Sequence, residues 1–157
     1  DLERVGMFGQ SFGGATTIAT ASTDNRIDVA AGLDAWFIPL ADTILQKGMK
    51  IPFLHLGQDK WTGMPENYIK MKTLMYNSSV PFNHYSAGRM KHYDFTDGPQ
   101  FAGSAKVLIP FFSWEDRSEM RAMLNTMVVV FFDFHLKKIS TISIDQVAAR
   151  FSNILLN

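Results

Sequence analysis

The sequence contains no cysteine. This absence excludes a disulfide scaffold, a zinc site built on cysteine thiolates and a cysteine nucleophile. An excess of charge of one sign is also missing, because 15 Lys and Arg residues balance 15 Asp and Glu residues and leave a formal net charge of zero. Proteins that bind nucleic acids usually present a basic face to the phosphate backbone, so we expect no nucleic-acid partner.

Long hydrophobic runs are absent as well. No apolar run is long enough to span a membrane and no signal peptide is visible, so we expect a soluble protein. A secreted and a cytoplasmic location both fit the sequence. Apolar residues make up 46% of the 157 residues, and 13 Phe and 3 Trp are among them. That content is sufficient for one domain with a packed core.

Short apolar runs alternate with helical patterns along most of the chain. We predict four strands, over residues 4–9, 29–34, 51–57 and 80–88. Helices are predicted between them over 12–23, 40–48 and 64–77, and after the last strand over about 98–109, 115–138 and 143–156. This alternation is typical of βαβ units, so we expect an α/β fold with a mostly parallel sheet flanked by helices. One edge of such a sheet needs a cover, because open edges promote aggregation.

A serine flanked by glycines lies at the first predicted strand–helix junction, in the segment GQSFGG of residues 9–14. A Gly-x-Ser-x-Gly pattern between a strand and a helix is the arrangement of a nucleophile elbow. We therefore predict Ser11 as the nucleophile, with Gly9 and Gly13 avoiding collisions with the neighbouring strand and helix. The backbone N–H of Phe12 then lies at the helix start, where it can stabilise an oxyanion. A glycine-rich phosphate loop or an ordinary turn is the alternative.

A nucleophilic serine needs a base, and the chain has four histidines. His92 follows the fourth predicted strand in a polar loop, from which a histidine can reach the serine, so it is the preferred candidate. His84 lies inside that strand and is the second choice. We expect His55 to be packed in the core of a strand, and His135 to be a core or surface residue of a long helix.

The acid that orients the base has two candidates. Asp34 ends the second predicted strand in GLDAWFIPL, and Asp59 follows the third strand in LHLGQDKW. Hydrolases with a serine elbow use the chain order Ser, then Asp or Glu, then His, and both positions satisfy that order. The spacing alone leaves the choice open.

Two motifs together carry a family resemblance. GQSFGGAT around Ser11 and LDAWFIPL around Asp34 resemble the platelet-activating-factor acetylhydrolases of the lipoprotein-associated phospholipase type. The resemblance extends from residue 4 to about residue 97. It implies that Asp34 is the acid, and the matching segment KHYDFTD supports His92 as the base. The chain departs from the family at Gln10, where a histidine is usual.

The resemblance implies an α/β-hydrolase fold and a serine esterase without metal or cofactor. The substrate would be a phospholipid with a short or oxidised sn-2 acyl chain, such as platelet-activating factor. The family fold also has several strands before the elbow and an early loop with a second oxyanion N–H. We therefore expect residues 1–157 to be the C-terminal portion of a single α/β-hydrolase domain that lacks its N-terminal half. The alternatives are a carboxylesterase or polyesterase of the same fold, and a catalytically incomplete fragment or lipid-binding remnant.

Residues next to the predicted triad indicate where a substrate would lie. We predict that Gln10, Trp36 and Phe37 line the substrate pocket, with core packing as an equal alternative for Trp36 and Phe37. The very apolar segment 106–114 is expected to be buried against the sheet, and contact with a lipid surface is its alternative.

Overall fold

A computed structural model of the chain describes residues 2–59, 61, 64–101, 112–113, 116–139 and 142–156. The strands within these residues are β1 (Gly6–Gln10), β2 (Val29–Leu33), β3 (Phe53–Gln58), β4 (Phe82–Ala87) and β5 (Ile154–Leu156). They form one sheet in the order β1-β2-β3-β4-β5. The first four strands are parallel, and β5 pairs with β4 in the antiparallel direction. The predicted α/β fold with a mostly parallel sheet is therefore confirmed.

Helices connect the parallel strands, as crossovers between parallel strands require. The connecting helices are α1 (Phe12–Ala21), α2 (Asp42–Lys47) and α3 (Pro65–Asn77). After β4 come a 3₁₀ turn (His92–Phe95), α4 (Gly98–Phe101), α5 (Arg117–Phe132), a π-helical turn (Asp133–Lys137) and α6 (Ile144–Ala148). Among the described residues, no helix combines the length and apolar character needed to cross a lipid bilayer.

The end of the chain differs from the prediction of one helix over 143–156. α6 ends at Ala148, and Ile154–Leu156 forms β5 instead. Pairing with β4 provides hydrogen-bond partners for backbone N–H and C=O groups at an edge that would otherwise be open. The stabilisation from this pairing outweighs the helical preference of the local sequence. β5 thus covers the edge of the sheet that β4 would otherwise leave open. β1 lies at the opposite edge of the described sheet.

The segment after the 3₁₀ turn is only partly described. The predicted helix over 98–109 corresponds to α4 in its first residues, and its remainder lies outside the described residues. The same holds for the predicted burial or lipid contact of 106–114, of which only Phe112 and Ser113 are described.

The sheet is packed on both faces, as expected from its apolar strands. All five residues of β2 are buried, which explains its continuous apolar run. One face packs against apolar residues of α5 spaced three and four apart, namely Met120, Met123, Leu124, Met127 and Phe131. The other face packs against α1, α2 and α3 through a second cluster that includes Ile18, Leu45, Phe53 and Leu74. The two clusters fix the strands, so the residues at the carboxyl ends of β1–β4 have defined relative positions.

Candidate active site

Ser11 connects β1 to α1 in a strained turn. Its backbone has φ 55° and ψ −119°, a combination that non-glycine residues rarely adopt and that costs on the order of 1–3 kcal/mol. Backbone hydrogen bonds to both neighbouring elements hold the turn. Ser11 N donates to the Leu33 carbonyl at 3.0 Å, and the Ser11 carbonyl accepts from Gly14 N at 3.0 Å and Trp36 N at 2.9 Å. The end of β2 therefore holds the serine in its strained conformation.

The tight turn requires glycine at two positions. One of these positions is predicted correctly and the other is not. A Cβ on Gly9 would lie 2.3 Å from the carbonyl oxygen of Gly13, so Gly9 is needed as expected. A Cβ on Gly13 would meet nothing within 4 Å, so the predicted collision at Gly13 is wrong. The second constraint falls on Gly14, whose Cβ would lie 2.5 Å from the Cβ of Ala35.

Three predicted residues from three strand ends meet at hydrogen-bond distance. His92 Nδ1 lies 2.6 Å from Asp34 Oδ2, and His92 Nε2 lies 2.9 Å from Ser11 Oγ. A carboxylate only accepts hydrogen bonds, so Nδ1–H of His92 donates to Asp34 and Nε2 is left to accept from the serine hydroxyl. The structure thus brings Ser11, His92 and Asp34 together in one hydrogen-bonded line, with the histidine between the serine and the carboxylate.

The buried carboxylate of Asp34 accepts hydrogen bonds on both oxygens. The Asp34 side chain has no solvent exposure, and its backbone adopts φ 44°. Oδ2 accepts from His92 and from Gln58 Nε2 at 2.9 Å, while Oδ1 accepts from Gln58 N at 3.0 Å and Trp61 Nε1 at 2.8 Å. Four donors compensate for the loss of water around a buried charge.

Sequence reasoning missed Gln58 and Trp61 as parts of this site. Both residues lie in LHLGQDKW, the segment that also contains the alternative acid candidate Asp59. A polar side chain at the last position of a buried strand and a tryptophan in a polar loop were the available signals.

The competing acid candidate lies elsewhere. Asp59 is exposed and follows β3. It lines a separate cavity of about 480 Å³ together with Arg89, Asp116 and Glu119. His92 Nδ1, the nitrogen that the acid must orient, is hydrogen-bonded to Asp34 instead of Asp59.

Two further histidines pack beneath the site. His55 is 1% exposed, and its Nε2 accepts from Ala35 N at 3.2 Å. Its Nδ1 must then carry the proton and donates to His84 Nδ1 at 3.0 Å. Burial lowers the pKa of His55 well below its usual range, and burial also lowers the pKa of His84. The expected core packing of His55 is confirmed, and the pair supports the backbone next to Asp34.

His135 lies in the π-helical turn, away from the strand ends. Its ring contacts the rings of Phe131 and Phe134 at centroid distances of 4.6 and 5.0 Å. Partial burial lowers its pKa. His135 is therefore a packing residue, in agreement with the sequence analysis.

The predicted pocket residues occupy different environments. Gln10 Nε2 lies 3.3 Å from both the Nε2 and the carbonyl oxygen of His92, so the amide contacts the base. Trp36 is partly buried, and its ring lies 6.1 Å from that of Phe12. Phe37 is fully buried and contacts His55 edge-on at 5.1 Å. The assignment of Phe37 to the pocket is therefore corrected: its ring fills the core and has no surface left for a substrate.

Aromatic side chains surround the serine and the histidine. Phe12 and Tyr93, which directly follow Ser11 and His92, are 59% and 48% exposed. The rings of Trp61 and Tyr93 lie 5.0 and 5.5 Å from the imidazole of His92. Two exposed aromatic rings, Phe12 and Tyr93, thus directly follow the serine and the histidine in sequence. Among the described residues, no cluster of three or more His, Asp or Glu side chains could hold a metal ion.

Comparisons with curated proteins agree with these motifs. The chain is 35% identical to the platelet-activating factor acetylhydrolase of Gallus gallus over 79 residues, which are 50% of this chain and 18% of that protein. It is also 35% identical to the enzyme of the same name from Bos taurus over 72 residues, 46% of this chain and 16% of that protein. The chain thus covers less than a fifth of the length of these relatives.

Solved structures show the same fold. A ferulic acid esterase from Streptomyces cinnamoneus superposes with a TM-score of 0.82 and 22% identity, over 99% of this chain and 47% of that chain. A dienelactone hydrolase-like promiscuous phosphotriesterase from metagenomic libraries superposes with a TM-score of 0.66 and 18% identity, over 86% of this chain and 54% of that chain. The fold is therefore that of the α/β-hydrolases. The model of the family described as platelet-activating factor acetylhydrolase, isoform II, matches residues 1–145, and the chain belongs to that family.

Proposed function

We propose that this chain carries the catalytic triad of a serine esterase that hydrolyses the sn-2 ester of phospholipids with a short or oxidised acyl chain, such as platelet-activating factor. The observation that carries the proposal is the hydrogen-bonded line from Ser11 through His92 to Asp34 on a strained elbow. Membership of the acetylhydrolase family supports the choice of substrate.

In the proposed mechanism, His92 Nε2 removes the proton from Ser11 Oγ as that oxygen attacks the ester carbonyl carbon. Asp34 keeps the imidazole oriented and stabilises the imidazolium that forms. His92 then gives the proton to the departing alcohol oxygen, which leaves the acyl group on Ser11. A water molecule repeats the sequence, with His92 as base, and releases the carboxylic acid.

The negative charge that develops on the carbonyl oxygen needs donors. Phe12 is the first residue of α1, where backbone N–H groups have no partner within the helix, so its N–H is the proposed oxyanion donor. We propose that an early loop of the family fold, outside residues 1–157, supplies the second donor and that this chain is the C-terminal portion of one domain. The resemblance to the family, whose fold has strands before the elbow, is the basis for this proposal.

The exposed rings of Phe12 and Tyr93 support an apolar group on the substrate. A short acyl chain or the apolar part of a lipid would contact such rings favourably. The same surface also suits simple carboxylic esters, so the phospholipid preference needs a direct test.

The test begins with a fluorophosphonate probe and mass spectrometry of the adduct. We expect the probe to label Ser11, and we expect Ser11→Ala to lose labelling and about a millionfold in turnover, as subtilisin does when it loses its catalytic serine. Ser22→Ala, at the far end of α1, is the matched control and keeps both. An adduct on a residue other than Ser11 would contradict the proposal, whereas a cooperatively folded chain without any adduct would mean that the site needs the donor outside residues 1–157.

Two comparisons refine the result. Asp34→Asn should remove most of the turnover, while Asp59→Asn should retain it, and the opposite outcome would assign the acid to Asp59. A higher kcat/KM for a short-chain phosphatidylcholine than for a simple soluble ester of the same acyl group would support the phospholipid preference. A rate that ignores the phosphocholine head would favour a general carboxylesterase.

A further inference from the structure

Trp61 contacts both partners of the Asp34–His92 hydrogen bond. Its indole Nε1–H donates to Asp34 Oδ1 at 2.8 Å. Its ring also lies 5.0 Å from the imidazole of His92, with an angle of 68° between the two planes. One rigid side chain therefore reaches the acid through a polar atom and the base through its aromatic surface.

The two contacts restrict different motions. Oδ2 of Asp34 accepts the hydrogen bond from His92, and Oδ1 accepts the hydrogen bond from Trp61. Because both oxygens are held, the carboxylate resists rotation about its Cβ–Cγ bond. The ring contact limits the swing of the imidazole on the side that Trp61 occupies. Gln58 also donates to both carboxylate oxygens, but its contacts restrict the acid alone.

Protonation of His92 makes this restraint important. During the proposed reaction the imidazole becomes a cation, and a free ring can rotate toward water before it delivers its proton to the leaving alcohol. The Asp34 side chain has no solvent exposure, and a dry environment strengthens the charge–charge attraction between Asp34 and the imidazolium.

We propose that Trp61 is a positioning residue, which holds the carboxylate of Asp34 through its indole N–H and the imidazole of His92 through its ring. This inference rests on the proposed esterase function for its effect on turnover. Its effect on the geometry of the Asp34–His92 pair does not depend on that function.

The kinetic test uses Trp61→Phe, which retains an aromatic ring and removes the N–H donor. We expect kcat for a soluble short-chain p-nitrophenyl ester to fall about tenfold, the scale of one hydrogen bond to a charged group, while KM changes less than twofold. The rate of labelling of Ser11 by a fluorophosphonate should fall by a similar factor. In an Asp34→Asn background, Trp61→Phe should have no further effect, because the indole acts through that carboxylate.

Tyr85→Phe is the control for a general loss of stability. It removes the 2.5 Å hydrogen bond from Tyr85 to Asp145, outside the triad, and should lower the unfolding temperature without changing kcat. An unchanged kcat in Trp61→Phe would overturn the proposal. So would a fall in kcat that Tyr85→Phe reproduces.

A spectroscopic measurement separates this inference from the esterase proposal. The proton on His92 Nδ1, a nitrogen 2.6 Å from Asp34 Oδ2, should give a far-downfield proton resonance in the wild-type chain. We expect that resonance to broaden or shift in Trp61→Phe and to persist in Tyr85→Phe. If the wild-type chain neither hydrolyses esters nor reacts with the probe, but the resonance depends on Trp61, the positioning role stands independently of the esterase proposal. A resonance that is identical in Trp61→Phe overturns the positioning role.

Discussion

Two adjacent glycines in α1 have opposite surroundings. A Cβ on Gly14 would approach the Cα and Cβ of Ala35 to 2.9 and 2.5 Å, whereas a Cβ on Gly13 would have open space. Of the two, Gly14 therefore permits the close contact between the start of α1 and the residue after Asp34. This contact links the backbone of the serine turn to that of the acid.

A matched pair of substitutions tests that contact. Gly14→Ala should lower the free energy of unfolding by about 1–3 kcal/mol, because the added methyl group overlaps backbone that cannot move freely. Gly13→Ala should leave it unchanged or raise it by up to about 1 kcal/mol, because alanine is the better helix former. Urea unfolding of both variants gives the two values. Equal effects at the two positions would contradict the packing described here.

At the scale of an element, the 3₁₀ turn His92–Phe95 is anchored by its own carboxylate. Asp94 is 3% exposed and accepts from Lys91 N at 2.8 Å and from Ser113 N at 3.0 Å. The first bond closes the turn, and the second ties it to the segment that precedes α5. Asp94 therefore fixes the position of the turn that carries His92.

Asp94→Asn should destabilise the chain by about 1 kcal/mol, because its amide oxygen can replace Oδ2 while its amide nitrogen would face the buried Ser113 N in place of Oδ1. Asp97→Asn is the control: it changes an exposed carboxylate three residues later and should cost less than about 0.5 kcal/mol. Thermal unfolding of the two variants under the same conditions compares them. A larger loss in Asp97→Asn than in Asp94→Asn would show that the anchor is not Asp94.

The same elements show how far the sequence predicts this molecule. Local patterns locate β1–β4, and the elbow motif and the family resemblance identify Ser11, Asp34 and His92. The contacts of Gln58 and Trp61 with Asp34 bridge 24 and 27 residues, and no local period marks them. β5 escaped prediction for the same reason, since only its pairing with β4 distinguishes Ile154–Leu156 from a continuing helix.

At the scale of the whole molecule, the sheet contains a pair of histidines, the buried His55 and the partly buried His84, that links stability to pH. His55 and His84 are directly paired between β3 and β4, and their rings stack at 5.0 Å. Burial lowers the pKa of both residues from the ordinary value near 6.5, and protonation of either ring disfavours protonation of the other. A hydrogen bond with the His55 backbone opposes the lowering of the His84 pKa, and the positive charge of Lys72 adds to it. The folded chain therefore favours the neutral form of both rings.

This preference has a definite sign. As the pH falls below about 6.5, the histidines of the unfolded chain take up protons while the buried pair stays neutral, so the free energy of unfolding must decrease. Each histidine contributes at most about 1.4 kcal/mol per pH unit between 6.5 and its lowered pKa. Urea unfolding at pH 7 and pH 5.5, above the range in which ordinary carboxylates titrate, should show this loss.

A variant identifies the source of the loss. His55→Asn removes the titrating group, so the variant should be less stable at pH 7, and its stability should depend less on pH between 7 and 5.5. His135→Gln, which replaces a half-buried histidine outside the sheet, should retain most of the wild-type dependence. If His55→Asn and the wild-type chain lost the same free energy between the two pH values, the dependence would come from other groups and the buried pair would not control it. A smaller loss in His55→Asn would mean that His55 limits the pH range in which the chain stays folded. The limit would then come from the core beneath Ser11, His92 and Asp34.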